Sequence, residues 1–82
     1  IVHGKVHGVC FRASTQTKAL EFNLTGSVRN LSNGTVEVHA EGSRDSIEKL
    51  IKWCQKGPPL AKVSRCDLNW ITPKVINEFR LL

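Results

Sequence analysis

The segment Gly4-Lys5-Val6-His7-Gly8-Val9-Cys10-Phe11-Arg12 constrains the fold more than any other part of the chain. Its composition is that of a strand end, a tight loop, and an arginine at the start of a helix. Glycine tolerates positive φ, so Gly4 and Gly8 allow the backbone to turn with its N–H groups converging on one point. Such amides, opening onto a helix N-terminus, bind anions. The segment predicts a phosphate site, although a plain strand-to-helix turn has the same glycine spacing.

Size and charge are compatible with a small anion-binding domain. We expect residues 1–82 to form a single domain with a thin core, so that any site is built from loops at the rim of one sheet. The first strand is predicted to include Ile1, and the chain does not begin with methionine. We therefore expect the protein's true N-terminus to lie a few residues before Ile1. The net charge of +5 favours anionic ligands. The basic residues are scattered rather than clustered, which does not indicate a nucleic-acid partner.

The three cysteines, Cys10, Cys54 and Cys66, indicate neither a disulfide framework nor a zinc site. An odd number cannot fully pair, and no C-x-x-C spacing is present. We therefore expect reduced thiols in a cytoplasmic protein without a metal, with Cys54 buried at a core spacing. No apolar run is long enough to cross a membrane, and no signal peptide is visible, so we expect no membrane partner.

Hydrophobic spacing predicts the order strand, helix, strand, strand, helix, strand, with a short extra strand at the end. The predicted strands are 1–6, 25–31, 35–40, 61–70 with a bulge near Ser64-Arg65, and 78–82; the predicted helices are 11–22 and a second one from Ser43 to a stop at 57–59. This order fits an α+β sandwich, in which a mostly antiparallel sheet carries both helices on one face.

Four residues have specific expected places in this scheme. Asn23 is a left-handed cap of the first helix, and Asn33 forms the hairpin turn with the glycine that follows it. Trp53 is a packing residue at the edge of the second helix. His39 is expected to be a solvated side chain on the polar face of the third strand.

A second informative segment is Gly26-Ser27-Val28-Arg29-Asn30, at the end of the second strand. The carboxamide of Asn30 offers both an acceptor and donors. Beside the loop it could hold a water molecule and steady an anion, or it could merely stabilise the turn before the hairpin. Arg29 lies on the opposite face of the strand and is expected to point away.

Together these segments resemble the acylphosphatase family. The resemblance rests on G-K-V-H-G-V-C-F-R (4–12), G-S-V-R-N (26–30) and N-G-T-V-E (33–37), and continues through W-C-Q-K-G-P (53–58) and A-K-V (61–63). It covers essentially the whole chain in register. It implies a ferredoxin-like α/β sandwich and the metal-independent hydrolysis of acyl phosphates to a carboxylate and inorganic phosphate, with no cofactor and no covalent intermediate.

The resemblance also implies roles for individual residues. Arg12 and Asn30 are the implied catalytic residues: the arginine binds the phosphate and the asparagine orients the attacking water. The implied substrate-binding amides are those of His7, Gly8, Val9, Cys10, Phe11 and Arg12. Small size and the lack of an apolar surface run predict a monomer.

The chain departs from the family pattern at three positions. His7 stands where glutamine is common, Ser27 where an aromatic residue is frequent, and Asn23 where glycine is usual. None of these changes touches Arg12 or Asn30, so the resemblance still implies activity.

Three other functions are compatible with the predicted fold. A non-catalytic anion-binding or regulatory module would keep the loop without turnover. An RNA-binding domain would need aromatic residues on its central strands, and Thr35, Glu37 and His39 occupy those outward positions. A metal-binding ferredoxin-like domain lacks its C-x-x-C spacing.

Overall fold

The strands and helices occur in the predicted order. The computed structural model describes residues 1–82, with β1 (Val2–Lys5), α1 (Phe11–Glu21), β2 (Thr25–Asn30), β3 (Val36–Glu41), α2 (Arg44–Cys54), β4 (Lys62–Cys66) and β5 (Phe79–Leu81). The strand order in the sheet is β4-β1-β3-β2-β5. Neighbouring strands are antiparallel except β5, which pairs parallel to β2. The predicted ferredoxin-like α+β sandwich is confirmed, and β5 makes the sheet mixed.

One face of α1 packs against the core. Phe11, Thr15 and Ala19 recur at helical spacing and are buried. The hydroxyl of Thr15 donates back to the main-chain oxygen of Phe11 at 2.7 Å, which satisfies it inside the core. The helix is closed by Asn23, which is left-handed at φ 58, as predicted.

Helix α2 begins where its sequence predicts and ends at Cys54, three residues before the predicted stop at 57–59. The hydroxyl of Ser43 accepts a hydrogen bond from the main-chain amide of Ser46 at 3.2 Å, so it is the N-cap. Leu50 and Cys54 are buried on its inner face. The ring of Trp53 packs against that of Phe11 with centroids 5.6 Å apart, which confirms its packing role and ties the two helices together.

The sheet places one end of β2 beside the start of β3 and of α1. Asn30 and Val36 are directly opposed in the β2–β3 register. Val28 and Val36 are fully buried in the core between the sheet and the helices. The predicted bulge is confirmed at Ser64, because His3 pairs with Arg65 while the next residue pairs with Val63.

Two expectations were wrong. The strand predicted for 61–70 ends at Cys66, and Leu68 and Trp70 are more than half exposed in the irregular connection that follows. Alternating apolar residues suggested a strand there, but Cys66 already pairs with Val2, the first residue of β1, so Leu68 and Trp70 have no strand residue opposite them. His39 is not solvated: its side chain is 13 % exposed and its Nε2 lies 2.7 Å from the carboxylate of Glu41.

Neither helix combines the length and the apolar character that crossing a bilayer would require.

Candidate active site

The loop between β1 and α1 has the backbone conformation that its glycine predicted. We call residues 7–12 the anion loop. Gly8 has φ 69 and Cys10, the N-cap of α1, has φ 62. A left-handed residue that is not glycine is conformationally strained, which is common where a backbone is shaped for a ligand. The buried side chains of Val6 and Val9 hold the loop to the core on either side of Gly8.

The main-chain amides of the anion loop have no protein partner. No main-chain hydrogen bond outside the helices and strands has its donor between His7 and Arg12. The amides that donate to side-chain oxygens belong to Thr35, Ser46, Lys74 and Val75, all outside the loop. Because unpaired main-chain donors are costly to bury, a set of them at a helix N-terminus indicates either solvent or an anion as their partner. All six predicted amides thus lack a hydrogen-bond acceptor within the protein.

Arg12 lies in the first turn of α1, and no Asp or Glu side chain pairs with it. Its Nη1 donates to the main-chain oxygen of Leu82 at 2.7 Å, and it takes part in none of the seven salt bridges of the protein. One turn further along α1, Nε2 of Gln16 donates to the main-chain oxygen of Phe79 at 3.0 Å. A guanidinium has five N–H donors, so the bond to Leu82 leaves most of them for an anion.

Asn30, the last residue of β2, lies at the same end of the sheet as Arg12. It shares the helix-bearing face with Val28 and with Val36, its partner across the strands. Its side chain is exposed and makes no hydrogen bond to the protein. The amide of Leu82 donates to the main-chain oxygen of Val28 at 2.9 Å, so the group that holds Arg12 is itself held on β2 close to Asn30.

Arg29 points away from this site, as predicted. It pairs across the strands with Glu37 through an Nε–Oε1 contact of 2.9 Å. The hydrogen bond with Glu37 raises the pKa of Arg29 further above its usual value. The pair occupies the sheet face opposite the helices, so Arg29 contributes no donor on the side of Asn30.

Two contacts at the site were not foreseen from the sequence. One is the bond from Arg12 to Leu82, for which the sequence carries no signal because any residue supplies a main-chain oxygen. The other is the side chain of His7, whose Nε2 lies 2.8 Å from the main-chain oxygen of Thr35. The available signal for the second contact was an imidazole beside Gly8, Val9 and Cys10, which are small or apolar.

No group of three or more His, Cys, Asp or Glu side chains is placed so that it could hold a metal ion. The thiols are free, with Cys10 exposed and Cys54 buried. Burial raises the pKa of Cys54 to about 12, and burial also raises the pKa of Cys66. The candidate site consists of hydrogen-bonding groups, namely the loop amides, the guanidinium of Arg12 and the carboxamide of Asn30.

Fold and candidate site together describe a small α+β domain in which one loop, one arginine and one carboxamide lie at one end of the sheet. The family model described as acylphosphatase matches residues 1–81. An acylphosphatase of Pelotomaculum thermopropionicum is 49% identical over 70 residues, which are 85% of this chain and 76% of that protein. The chain belongs to the acylphosphatase family, and its curated relatives make it an acylphosphatase hydrolase.

Solved structures agree with this assignment. The structure of an acylphosphatase from Coxiella burnetii superposes with a TM-score of 0.96 at 48% identity, covering 99% of this chain and 85% of that one. The same fold occurs inside a much larger protein: full-length HypF, in its phosphate- and nucleotide-bound form, matches with a TM-score of 0.92 at 27% identity, over 99% of this chain but 11% of that one.

Proposed function

We propose that this protein hydrolyses acyl phosphates by binding the phosphoryl group to the amides of the anion loop and to Arg12, while Asn30 orients the attacking water. One observation carries the proposal. The unpaired amides of residues 7–12, the guanidinium of Arg12, which pairs with no Asp or Glu, and the unbonded carboxamide of Asn30 all lie at one end of the sheet. A phosphoryl oxygen is a suitable acceptor for each of the loop and arginine donors.

The proposed reaction needs positioning and charge stabilisation rather than strong acid or base catalysis. The water oxygen attacks phosphorus, the bond from phosphorus to the acyl oxygen breaks, and the carboxylate leaves with the electron pair. A carboxylate is a good leaving group, so no protein group has to protonate it. Negative charge on the equatorial oxygens is stabilised by the amides and by Arg12, as in an oxyanion hole.

Asn30 supplies geometry in this scheme. Its Oδ1 accepts a hydrogen bond from the attacking water, and its Nδ2 can donate to a phosphoryl oxygen. A carboxamide cannot take up the proton of the water, which passes to the phosphate product instead. Holding water in line with the leaving group converts an encounter in solution into an intramolecular step, which contributes much of the rate in such reactions.

We also propose that residues 1–82 act as one domain, as a monomer in the cytoplasm, on a small acyl phosphate. The three free thiols support a reducing compartment. The occurrence of the fold within HypF supports one competing proposal, a non-catalytic anion-binding module of a larger protein.

Hydrolysis of benzoyl phosphate, measured with and without inorganic phosphate, distinguishes the enzyme from the module. We expect turnover without added metal, unchanged by EDTA, and competitive inhibition by inorganic phosphate. Phosphate that raises the melting temperature of a protein with no turnover would favour the module instead. Sedimentation at several protein concentrations tests the monomer.

A further inference from the structure

The anion loop has one side-chain hydrogen bond to another part of the protein before α1 begins. Nε2 of His7 lies 2.8 Å from the main-chain oxygen of Thr35, and the ring is partly buried. A carbonyl oxygen can only accept a hydrogen bond, so Nε2 carries the hydrogen and donates it. His7 therefore links the loop to the start of the neighbouring hairpin strand.

The acceptor of this bond is unusually well fixed. The oxygen of Thr35 also accepts the main-chain amide of Leu31 at 2.8 Å, and Leu31 directly follows Asn30. Thr35 is buried, and its amide and hydroxyl both donate to Oδ1 of Asn33, at 3.1 and 2.6 Å. The imidazole of His7 and the amide of Leu31 thus donate to the same carbonyl oxygen of Thr35, in a turn that is stabilised by its own hydrogen bonds.

We propose that His7 is a positioning residue, whose side chain sets the distance between the phosphate held by the anion loop and the water held by Asn30. This inference rests on the proposed function. The loop is otherwise held by the packing of Val6, Val9 and Phe11 in the core and by the bond from Arg12 to Leu82, and none of these contacts reaches the β2–β3 turn. Without the bond from His7, the loop amides would still converge on an anion, but their position relative to Asn30 would be less restricted.

The expected signature is a loss of turnover with little loss of phosphate affinity. Binding of phosphate uses donors within residues 7–12, which the imidazole does not touch. Turnover needs the water and the phosphorus aligned across two separate elements, and such alignment is sensitive to displacements of about 1 Å, which can cost about a hundredfold in rate. The side chain of His7 therefore affects the alignment of water with phosphorus and not the binding of phosphate.

Two substitutions with the same chemistry and different reach test the role. In His7→Gln, the side-chain nitrogen is as many bonds from Cβ as Nε2 of histidine, so it can donate to Thr35. In His7→Asn, the side-chain nitrogen is one bond closer to Cβ and cannot reach the main-chain oxygen of Thr35. We expect kcat of His7→Asn to fall at least about tenfold below that of His7→Gln, a part of the range that misalignment can cost. The inhibition constant for inorganic phosphate should differ by less than about threefold between them, since the same donors bind it.

His3→Asn is the matched control, because the imidazole of His3 bonds to Asp67 on the surface, at 2.8 Å from Oδ2. It should leave kcat unchanged. Equal kcat for the two His7 variants, a phosphate inhibition constant that rises as much as kcat falls, or a loss of activity that follows the unfolded fraction in a thermal melt would each overturn the inference. An active parent with equal His7 variants overturns this inference alone, whereas an inactive parent overturns the proposed function and this inference with it.

Discussion

Nη1 of Arg12 donates to the main-chain oxygen of Leu82 at 2.7 Å, so the arginine of the anion loop is oriented by the end of the last strand. Gln16, on the same face of α1, holds the oxygen of Phe79 in the same way. Strand β5 is in turn bonded to β2, through the amides of Gly26 and Leu82. The guanidinium is therefore held from the C-terminal side of the fold while its amide belongs to the N-terminal loop.

Replacing Arg12 by alanine should lower the rate of acyl phosphate hydrolysis by at least about 10²–10³, the cost of losing one preorganised donor to a charged transition state. Most of the loss should occur as weaker phosphate binding, because no other side chain at the site carries positive charge. Steady-state kinetics with benzoyl phosphate, and inhibition by inorganic phosphate, measure both effects. Arg65→Ala is the control, since Arg65 is exposed and pairs with Asp67. A change of less than about tenfold for Arg12→Ala would contradict the assignment.

Replacing Asn30 by alanine should reduce kcat while leaving the inhibition constant for phosphate close to that of the parent. The reason is that the carboxamide orients water and does not carry the charge that binds the anion. Arg29→Ala, one residue earlier and on the opposite face with Glu37, should change neither quantity. If Asn30→Ala kept full turnover, the water-orienting role would be wrong.

Much of this fold could be predicted because its local signals agree with its tertiary contacts. Ser43 caps a helix, Asn23 ends one, and Asn33 bends a hairpin, each through interactions with near neighbours in the chain. The wrong strand end at Cys66 has a different origin. The pattern at Leu68 and Trp70 is locally strand-like, but whether a strand forms depends on a partner strand that the pattern cannot specify.

The residues of the candidate site also fall into two groups, those that the sequence could predict and those that it could not. The anion loop and Asn30 could be named from the sequence, because a family resemblance identified short segments in which residue type and spacing are characteristic. The contacts of Arg12 with Leu82 and of His7 with Thr35 could not, because their acceptors are main-chain oxygens far away in the chain. Main-chain groups are the same in every residue, so only the three-dimensional structure selects which one is used.

The three thiols should differ strongly in their reactivity toward a thiol reagent such as DTNB at pH 8. Cys10 is exposed in the anion loop and should react first, whereas burial raises the pKa of Cys54 to about 12 and should keep it unreactive until the protein unfolds. Inorganic phosphate should slow the reaction of Cys10 by occupying the amides around it, with Cys66 as the internal control. Mass spectrometry of partly labelled protein identifies the order. Labelling of Cys54 as fast as that of Cys10 would contradict the packing described for α2.

Glu41 should stabilise the fold in a pH-dependent manner. Its carboxylate accepts hydrogen bonds from His39 at 2.7 Å and from the amides of Lys74 and Val75 at 2.8 and 3.0 Å, which ties the connection before β5 to β3. The bond with His39 lowers the pKa of Glu41 most, and the amide of Lys74 lowers it further. Because the folded-state pKa is lowered, this stabilisation is present above the unfolded value of about 4.3 and is lost as the pH falls through the folded value.

Glu41→Gln should accordingly melt at a lower temperature than the parent at pH 7, and the difference should shrink in acid below about pH 4. Circular dichroism melts at pH 7, 4 and 3 measure it. Glu48→Gln is the control, because Glu48 pairs only with Arg44 on an exposed helix face, where such pairs contribute little. A difference between parent and Glu41→Gln that stayed constant down to pH 3 would show that the charge of Glu41 is not what stabilises the connection.

Gly26 should be the glycine of the sheet that tolerates substitution least, because the backbone of β3 lies too close to leave room for any side chain. Its φ is 140, and a Cβ built there would overlap the main-chain oxygen of His39, which cannot move without disturbing the β2–β3 ladder. Gly34, in the hairpin turn, also has positive φ at 88, but nothing lies within 4 Å of a Cβ added to it. Gly34→Ala should therefore cost only the backbone strain, about 1–2 kcal/mol of the free energy of unfolding. Gly26→Ala should cost clearly more than Gly34→Ala in urea unfolding at 25 °C, and equal losses would mean that the two strands are not packed as closely as this register requires.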